Sequence, residues 1–375
     1  MPPHFRSTQQ EGESMSHSTN LQRVIVMGLG KVGTLVATLL HESGFQVMGL
    51  DAVERKDLPF ATKVVNLTDP SALRPLLKDA DALVSCLPFH LNIALSTEAA
   101  GAGIHYFDLT EDVATTNHIR KLAETSKGLM APQCGLAPGF IGIVGAHLAK
   151  GFDSLRSVEL KVGALPKHPR GKLGYAFNWS PEGVINEYIN DCEVIRNGVR
   201  QNVPALEGYE IVNINGLQLE AATTSGGLGT MCETYEGKVR DLHYKTMRYL
   251  GHFEQIKFLF QELRLQEDRD LLGKILKNAL PPTAEDYVFV HAAVEGIKKG
   301  QLAREEFVRA YPEMQVAGQE WRAISWTTAA SIAAVVELVR DGKLPQKGFL
   351  KQEEIPFDAF LATKNGAYYL KGESR

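Results

Sequence analysis

The feature that most constrains this chain is a glycine-rich turn, Gly28-Leu-Gly-Lys-Val-Gly33, between a strand pattern and a helix pattern. The β-rich run Arg23–Met27 precedes the turn, and residues Thr34–Ser43 after it have helical spacing. In dinucleotide-binding folds the first glycine permits the tight turn, the second lets a pyrophosphate approach the backbone, and the third lets the helix pack closely on the strand. The helix N-terminus offers free N–H groups and a positive dipole to the phosphates. The sequence therefore predicts a dinucleotide site formed by Gly28, Gly30, Lys31, Val32 and Gly33.

Asp51 ends the second apolar run, Gln46–Leu50, where a carboxylate in such folds binds the adenosine ribose hydroxyls. A carboxylate at this place repels the 2′-phosphate of NADP, so the sequence predicts NAD as the cofactor and NADP as the less favoured alternative. Arg55 lies close by in sequence, and its positive charge can weaken that preference.

Strand and helix patterns alternate as far as residue 132, which predicts βαβ units in a doubly wound parallel sheet of the Rossmann type. After about Lys150 the alternation stops, and the pattern favours a second α+β domain with a mostly antiparallel sheet. In it, Leu155–Leu165 alternates polar and apolar residues, which predicts an antiparallel strand with one exposed face. We expect Ala284–Lys299 to be helical, and Ile324–Arg340 to be a strongly apolar helix that ends before Gly342.

Composition excludes several classes of protein. Hydrophobic residues are 44% of the 375 and charged residues 22%, values typical of globular chains, and the net charge of −4 gives no reason to expect nucleic acid or an anionic membrane as a partner. No run of about 18 uncharged apolar residues exists, so no transmembrane helix is expected. The first 20 residues are polar and lack the apolar core of a secretory signal, so we expect a disordered leader.

The four cysteines are far apart and form no CxxC pair, which favours reduced thiols in a cytoplasmic protein over disulfides or a zinc site. They are Cys86, Cys134, Cys192 and Cys232. Histidine, cysteine and aspartate show no metal-ligand spacing, so we expect no metal.

Further motifs resemble those of the saccharopine dehydrogenase family. In chain order they are Ser85-Cys-Leu-Pro-Phe89, Tyr106-Phe-Asp-Leu-Thr110, Gln133-Cys-Gly-Leu-Ala-Pro-Gly-Phe140, Val162-Gly-Ala-Leu-Pro166, Asn178-Trp-Ser-Pro-Glu-Gly-Val184 and Lys245-Thr-Met-Arg-Tyr-Leu-Gly-His252. The pattern is most similar to the lysine 6-dehydrogenases and saccharopine reductase-like proteins. This resemblance implies a Rossmann domain at residues 21–147 and 322–375. It also implies a substrate domain at residues 148–321, and a homodimer formed through that second domain.

The resemblance also implies roles for individual residues. Leu87, Pro88 and Phe89 are expected beside the nicotinamide ribose and the substrate. Asp108 is expected to contact the cofactor or the substrate amine as a catalytic residue, with a helix N-cap as the alternative. Arg248 is expected to pair with a substrate carboxylate, since a guanidinium binds one through two parallel hydrogen bonds, with a structural ion pair as the alternative.

Five more positions are implied near the substrate. Thr246 accompanies Arg248, and Asn178 and Ser180 stand where the family has polar ligands around a tryptophan. Asn178 replaces the serine found in saccharopine reductases, which argues against a saccharopine-like pose. Ser225, in a glycine-rich loop of the second domain, and Cys134 are expected to face the pocket. By contrast, the three histidines near these motifs are expected to be structural rather than proton carriers. They are His105, His243 and His252.

Together these residues predict an NAD-dependent oxidoreductase that acts on the amine of a lysine-related amino acid. The favoured reaction is lysine 6-dehydrogenase-like oxidative deamination to 2-aminoadipate 6-semialdehyde. One alternative is a saccharopine reductase-type enzyme acting on a C–N bond, whose tricarboxylate substrate would need several cations, for which Arg170, Lys172 and Arg248 are candidates. Another is a non-catalytic NAD-binding sensor dimer. The expected partner is a small amino-acid substrate, with neither nucleic acid nor membrane.

Overall fold

A computed structural model describes residues 21–67, 69–214 and 216–373 of the protein, so the leader predicted at 1–20 lies outside the described residues. The strands are β1 (Arg23–Met27), β2 (Gln46–Asp51), β3 (Ala61–Val64), β4 (Ala82–Ser85), β5 (His105–Asp108), β6 (Leu129–Ala131), β7 (Ser154–Pro166), β8 (Cys192–Arg196), β9 (Val199–Val203), β10 (Glu210–Ile214), β11 (Leu217–Thr223), β12 (Val239–Tyr249), β13 (Asp286–Lys298), β14 (Gln301–Pro312), β15 (Met314–Val316), β16 (Gln319–Trp321) and β17 (Gly348–Phe349). The α-helices are α1 (Lys31–Glu42), α2 (Arg74–Leu77), α3 (Phe89–Ala102), α4 (Val113–Ala123), α5 (Phe140–Ala149), α6 (Pro181–Ile189), α7 (Met231–Tyr235), α8 (His252–Lys257), α9 (Arg269–Ala279), α10 (Ala323–Arg340) and α11 (Phe357–Leu361).

The first sheet is parallel and has seven strands in the order β17-β6-β5-β4-β1-β2-β3. Strand order reverses at β1, which pairs with β2 on one side and β4 on the other. The carboxyl ends of β1, β4 and β5 therefore meet at one edge, the place where doubly wound sheets bind ligands. This arrangement confirms the predicted Rossmann-type sheet.

Residues after 322 return to this first sheet. Helix α10 packs against α1, and β17 pairs with β6 at the edge of the sheet. Helix α10 matches the predicted apolar helix to within one residue at its start. Among the described residues it is the one helix long and apolar enough to cross a membrane, yet 83% of it is buried inside the protein, as in the core helix of a globular fold. The predicted domain limits themselves stay a prediction.

The second sheet is mixed and mostly antiparallel, in the order β10-β11-β12-β7-β13-β14, with the β8–β9 hairpin beside β12. Strand β7 lies at its centre, parallel to β12 and antiparallel to β13. The prediction of one exposed face for Leu155–Leu165 is therefore wrong over its second half. Helix α5 packs on this strand, and the residues from Leu160 to Gly163 are all buried.

The helix predicted at Ala284–Lys299 is wrong, because this segment forms strand β13. It runs between β7 and β14 and pairs with both along nearly its whole length. An inner strand covered on both faces has no polar-apolar alternation, so its pattern resembles that of a buried helix. The β-branched and aromatic residues of Tyr287–Val290 were the signal that favoured a strand.

Asp286, the first residue of β13, joins the second sheet to the core helix of the first. Its carboxylate accepts hydrogen bonds from the N–H of Ala323 at 2.5 Å and of Ile324 at 3.4 Å, at the start of α10. It also accepts one from Asn178 Nδ2 at 3.2 Å. The residue is buried, so these donors would have no water to replace the carboxylate.

We expect Asp286→Ala to lower the free energy of unfolding by about 1–3 kcal/mol, since it leaves buried donors unpaired. Urea unfolding followed by circular dichroism measures the change. Asp69→Ala is the matched control, because Asp69 caps only a short, exposed helical turn through Ser71 N, and should cost less than about 1 kcal/mol. Equal losses for the two variants would contradict the joining role of Asp286.

Candidate active site

A cavity of about 460 Å³ lies where the carboxyl edge of the first sheet faces the second sheet. The first sheet contributes the glycine-rich turn and the turns that follow β4, β5 and β6. The second contributes β7, β12, α6 and the loop before α6, and α10 closes one side. Among the predicted site residues, the cavity is lined by Gly30, Lys31, Val32, Gly33, Leu87, Pro88, Phe89, Asn178, Ser180, Thr246 and Arg248.

The three glycines of the turn meet different constraints. Gly28 has φ +86°, and a Cβ there would lie 2.6 Å from Leu87 Cδ2. A Cβ on Gly33 would lie 1.7 Å from the carbonyl oxygen of Gly28. Neither restriction applies at Gly30, where a Cβ would have no atom within 4 Å. The protein's own packing thus requires the first and third glycines, whereas the second leaves open backbone toward the cavity, as a pyrophosphate needs.

Two positively charged side chains, Lys31 and Arg322, lie near the glycine-rich turn. Helix α1 begins at Lys31, and no side chain caps its N-terminus, so the helix dipole and N–H groups remain available to an anion. Burial, together with the nearby charge of Arg322, lowers the pKa of Lys31. Arg322 Nη1 is buried and has no hydrogen-bond partner in the described part of the chain. Two cations beside an uncapped helix end fit a dinucleotide phosphate.

Asp51 lies next to the glycine-rich turn but outside the cavity lining. Its carboxylate accepts hydrogen bonds from Leu29 N at 2.7 Å and from Val53 N at 3.1 Å. Arg55 Nη2 approaches the same carboxylate at 3.4 Å. Asp51 therefore holds the turn in shape, and its cofactor role stays a prediction.

Asp108 is fully buried and is absent from the cavity lining. It accepts hydrogen bonds from Thr110 N, Gln133 N and the Tyr106 hydroxyl, at 3.0 to 3.1 Å. Burial raises its pKa to about 6. Through these bonds Asp108 fixes the turn after β5, and its predicted contact with the cofactor or the substrate amine stays a prediction.

Cys134 and Ser225, both expected to face the pocket, point elsewhere. The Cys134 thiol is buried and donates to the carbonyl oxygen of Ala131. Ser225 Oγ donates to the carbonyl oxygen of Asn186 at 3.2 Å. Neither residue lines the cavity. Gly28 also lies just outside it.

Arg248 is buried at the cavity wall on β12. Its guanidinium lies 4.5 Å from the ring centre of Tyr175, and its Nε donates to the Tyr188 hydroxyl at 2.8 Å. The Glu187 carboxylate is 3.9 Å from Nη2, beyond hydrogen-bond distance. Its Nη1 donates to the carbonyl oxygen of Met247 at 3.0 Å. The guanidinium is thus fixed through Nε and Nη1 beside an aromatic ring, and its remaining N–H groups can bind a carboxylate of a ligand.

His252 completes the support of Arg248. Its Nδ1 donates to the carbonyl oxygen of Leu173 at 2.7 Å, and its Nε2 accepts from the Tyr188 hydroxyl at 3.0 Å. Burial and the charge of Arg248 lower its pKa to about 3, so the ring is neutral. Both nitrogens are used within the protein, in line with a structural histidine.

The polar residues around Trp179 are bound within the protein. Asn178 Nδ2 donates to Asp286, and Ser180 Oγ accepts from Gly183 N at 3.1 Å as the cap of α6. Thr246 Oγ1 shares a hydrogen bond of 2.6 Å with Thr224 Oγ1. These residues shape the side of the cavity that the second sheet forms, and Arg248 is the positively charged residue on that side.

Two carboxyls that the sequence analysis missed also line the cavity, one buried (Glu187) and one partly buried (Glu111). Glu111 follows β5, and Glu187 lies on α6. Burial raises the pKa of Glu111 to about 7 and that of Glu187 to about 8. The charges of Asp112 and Asp108 add to the rise in the pKa of Glu111, and the charge of Glu111 adds to the rise in the pKa of Glu187. The acidic run after the Asp-Leu-Thr motif was an available signal for Glu111. No local signal marked Glu187, which reaches the cavity only through the packing of α6.

More acidic than basic side chains line the cavity, which disfavours a ligand with several negative charges. Its cations are Lys31 and Arg248, and its carboxyls are Glu111, Glu182 and Glu187. Arg170 and Lys172, suggested as further cations, lie outside the lining. Within the described residues, histidine, cysteine, aspartate and glutamate form no group of three or more that could hold a metal ion.

Two family models match consecutive parts of the chain. Residues 24–131 match the saccharopine dehydrogenase NADP binding domain, and residues 135–364 match the saccharopine dehydrogenase C-terminal domain. Among curated proteins, mitochondrial alpha-aminoadipic semialdehyde synthase of Rattus norvegicus is 23% identical over 213 residues, and that of Mus musculus is 22% identical over the same length. These matches cover 53% of this chain but only 23% of each relative, so the chain spans about a quarter of their length.

The fold is also similar to a solved structure. Saccharopine dehydrogenase (L-Glu forming) from Saccharomyces cerevisiae superimposes with a TM-score of 0.73 at 17% identity, covering 93% of this chain and 98% of the yeast chain. At this identity the likeness concerns the fold alone.

Proposed function

The chain belongs to the saccharopine dehydrogenase family, and on that basis we propose that it is an NAD-dependent oxidoreductase acting on the side-chain amine of a lysine-related amino acid. The observation that carries the proposal is that a buried guanidinium, Arg248, lines one cavity together with two carboxyls, the buried Glu187 and the partly buried Glu111. A diamino acid has one carboxylate and a distant ammonium. The guanidinium can bind the carboxylate, and the two carboxyls can bind the ammonium.

The dinucleotide supplies hydride acceptance when bound, and the protein supplies position and charge. The open backbone at Gly30, the helix end at Lys31 and the cation Arg322 would hold its phosphates. Arg248 would bind the α-carboxylate, since such a group cannot be buried unpaired. The substrate's far end would then lie toward the carboxyls, where its amine must be neutral before the carbon beside it can lose hydride.

Charge argues for this substrate class over a tricarboxylate. Saccharopine carries three carboxylates, and the lining offers two cations against three carboxyls. Near neutral pH Glu111 is about half protonated and Glu187 mostly protonated, so the repulsion of a tricarboxylate by these two groups grows as the pH rises. The saccharopine-type alternative keeps the support of the fold likeness to the yeast enzyme and of the family models.

The test is NAD(P)H absorbance with a panel of lysine, ornithine, saccharopine and polyamines. The proposal expects turnover of a free diamino acid with release of ammonia. Release of glutamate from saccharopine, with lysine inert, would establish the alternative. NADH binding without turnover of any amine would instead favour a sensor.

NAD is proposed over NADP because the Asp51 carboxylate lies beside the glycine-rich turn, where it would repel a 2′-phosphate. The matched family model carries NADP in its description, and Arg55 forms an ion pair with Asp51 that offsets the negative charge. The cofactor preference therefore needs a direct test.

We expect Asp51→Asn to raise kcat/KM with NADP relative to NAD. Asparagine keeps an oxygen to accept from Leu29 N while removing the charge, so the turn should survive. A favourable charge change of about 1 kcal/mol corresponds to roughly a fivefold gain in the ratio. Steady-state kinetics with both cofactors measure it, and an unchanged ratio would refute the role of Asp51.

A homodimer formed through the second domain and a cytoplasmic location are also proposed. The four cysteines are free, which suits a reducing compartment. Light scattering coupled to gel filtration gives the oligomeric state, and a monomer at micromolar concentration would contradict the dimer.

A further inference from the structure

A second, smaller cavity of about 200 Å³ lies behind the first. It is walled by polar side chains, and exposed residues form part of its rim, among them Asn117, Asp191 and Asn202. Water can therefore enter it from outside. Of the described residues, Glu111 and Tyr244 alone line both cavities. These two side chains form the partition between the candidate reaction site and a solvent-facing space.

Glu111 is the partition residue with a free polar group. No other side chain makes a hydrogen bond or ion pair with its carboxyl within the described residues. Its backbone packs on the glycine-rich loop of the second domain, where a Cβ on Gly226 would lie 3.0 Å from the Glu111 carbonyl oxygen. On the other side, a Cβ on Gly183 would lie 3.3 Å from Glu111 Oε1. The residue is thus packed between this loop and α6. Its carboxyl accepts a hydrogen bond from its own backbone N–H and keeps further acceptor capacity for a ligand.

Tyr244 cannot take the same role at neutral pH. Burial raises the pKa of its phenol far above the usual value, so it stays protonated. Its ring packs against the loop at Gly227, where a Cβ would lie 2.3 Å from ring carbons. Tyr244 closes the partition, and Glu111 is the group in it that can exchange a proton.

We propose that Glu111 carries the proton that the substrate amine must lose, taking it in the larger cavity and releasing it to water in the smaller one. The inference rests on the proposed amine oxidation. The substrate R–CH2–NH3⁺ gives one N–H proton to the Glu111 carboxylate and becomes R–CH2–NH2. The neutral amine then loses hydride from carbon to the oxidised dinucleotide, giving R–CH=NH2⁺. Water adds and ammonium leaves, giving the aldehyde, while Glu111 passes its proton to water.

The ionisation of Glu111 suits this task. Burial raises its pKa to about 7, so near neutral pH it can both accept and release a proton. Several charged groups face it and set that balance. They are Asp108 and Asp112 on its own turn, Glu182, Glu187 and Arg248 around the larger cavity, and Arg120, Asp191, Glu193, Arg200 and Glu233 around the smaller one.

The first test is Glu111→Gln, which keeps the shape and removes the exchangeable proton. General-base catalysis contributes about 10²- to 10⁴-fold, so kcat/KM should fall by that factor at neutral pH. In the wild type, activity should rise as pH passes through about 7, and the variant should lose this rise. Without any ligand, the infrared band of a carboxyl titrating near that pH should disappear in the variant. A retained pH profile and band would overturn the proposal.

The second test uses the smaller cavity as an entrance. Glu111→Ala should open the partition, so that added formate restores activity in a concentration-dependent way, whereas Glu111→Gln still fills the space and should not respond. Asp270→Asn, which alters an exposed carboxyl outside the linings of both cavities, should keep activity within about twofold. Absence of formate rescue in a folded Glu111→Ala variant would contradict the carrier role. If the wild type oxidises no amine, the proposed function itself fails; if it does and these variants match it, only the present inference fails.

Discussion

Valine at position 30 is expected to weaken dinucleotide binding about 5- to 150-fold while leaving the fold intact. Atoms forced into a filled space typically cost 1–3 kcal/mol or more, and each 1.4 kcal/mol is a factor of ten in affinity. In the protein alone a Cβ at Gly30 meets nothing within 4 Å, and its φ of −70° suits any residue. Since no described residue lies within 4 Å of the new Cβ, the clash is expected with the bound pyrophosphate.

Titration of NADH by fluorescence measures the affinity, and thermal unfolding followed by circular dichroism checks the fold. Gly101→Val is the matched control, because Gly101 also has open space around a Cβ but lies in α3 away from the cavity. It should bind NADH as the wild type does. Unchanged NADH affinity in folded Gly30→Val would exclude this turn as the site.

The second large effect concerns Arg248. Replacing it with methionine should lower kcat/KM for the amino-acid substrate about 10- to 150-fold, the equivalent of losing a charge-assisted hydrogen bond worth about 1.5–3 kcal/mol. Lysine should give an intermediate value, since it keeps the charge but not the planar pair of donors. NADH affinity should stay nearly constant, because Arg248 belongs to the second sheet.

The fold is expected to tolerate Arg248→Met better than most losses of a buried charge. Its nearest carboxyl, Glu187, has a pKa already raised to about 8 and can take up a proton when the guanidinium is removed. Arg170→Met is the matched control, an exposed cation outside the cavity lining, and should change kcat/KM less than twofold. Loss of NADH and substrate binding together in Arg248→Met would indicate a structural role instead.

The first sheet could be predicted from sequence because its signals are local. The glycine-rich turn, the short apolar strands and the intervening helices each lie within about a dozen residues of one another. The second sheet was harder, since β13 is covered on both faces and loses the alternation by which an exposed strand is recognised.

In the candidate site, too, residues in local motifs could be predicted, whereas residues brought together by packing could not. Gly30 and Arg248 belong to motifs that resemble a known family, and both line the cavity. Asp108 belongs to such a motif too, yet the surrounding N–H groups and a tyrosine occupy its carboxylate. Glu187 comes near Glu111 only because α6 packs against the turn after β5, a contact between distant segments that residue patterns do not encode.

The pairing of β17 with β6 has a consequence for how the protein is made. More than half of the chain separates these neighbouring strands, and α10, which covers α1, is also translated late. While the ribosome is still synthesising the second sheet, the apolar face of α1 lacks its partner and the edge of β6 lacks a strand. Nascent chains should therefore expose an apolar helix face and an unpaired strand edge until residues 323–349 emerge, so aggregation during synthesis is the expected hazard before that point.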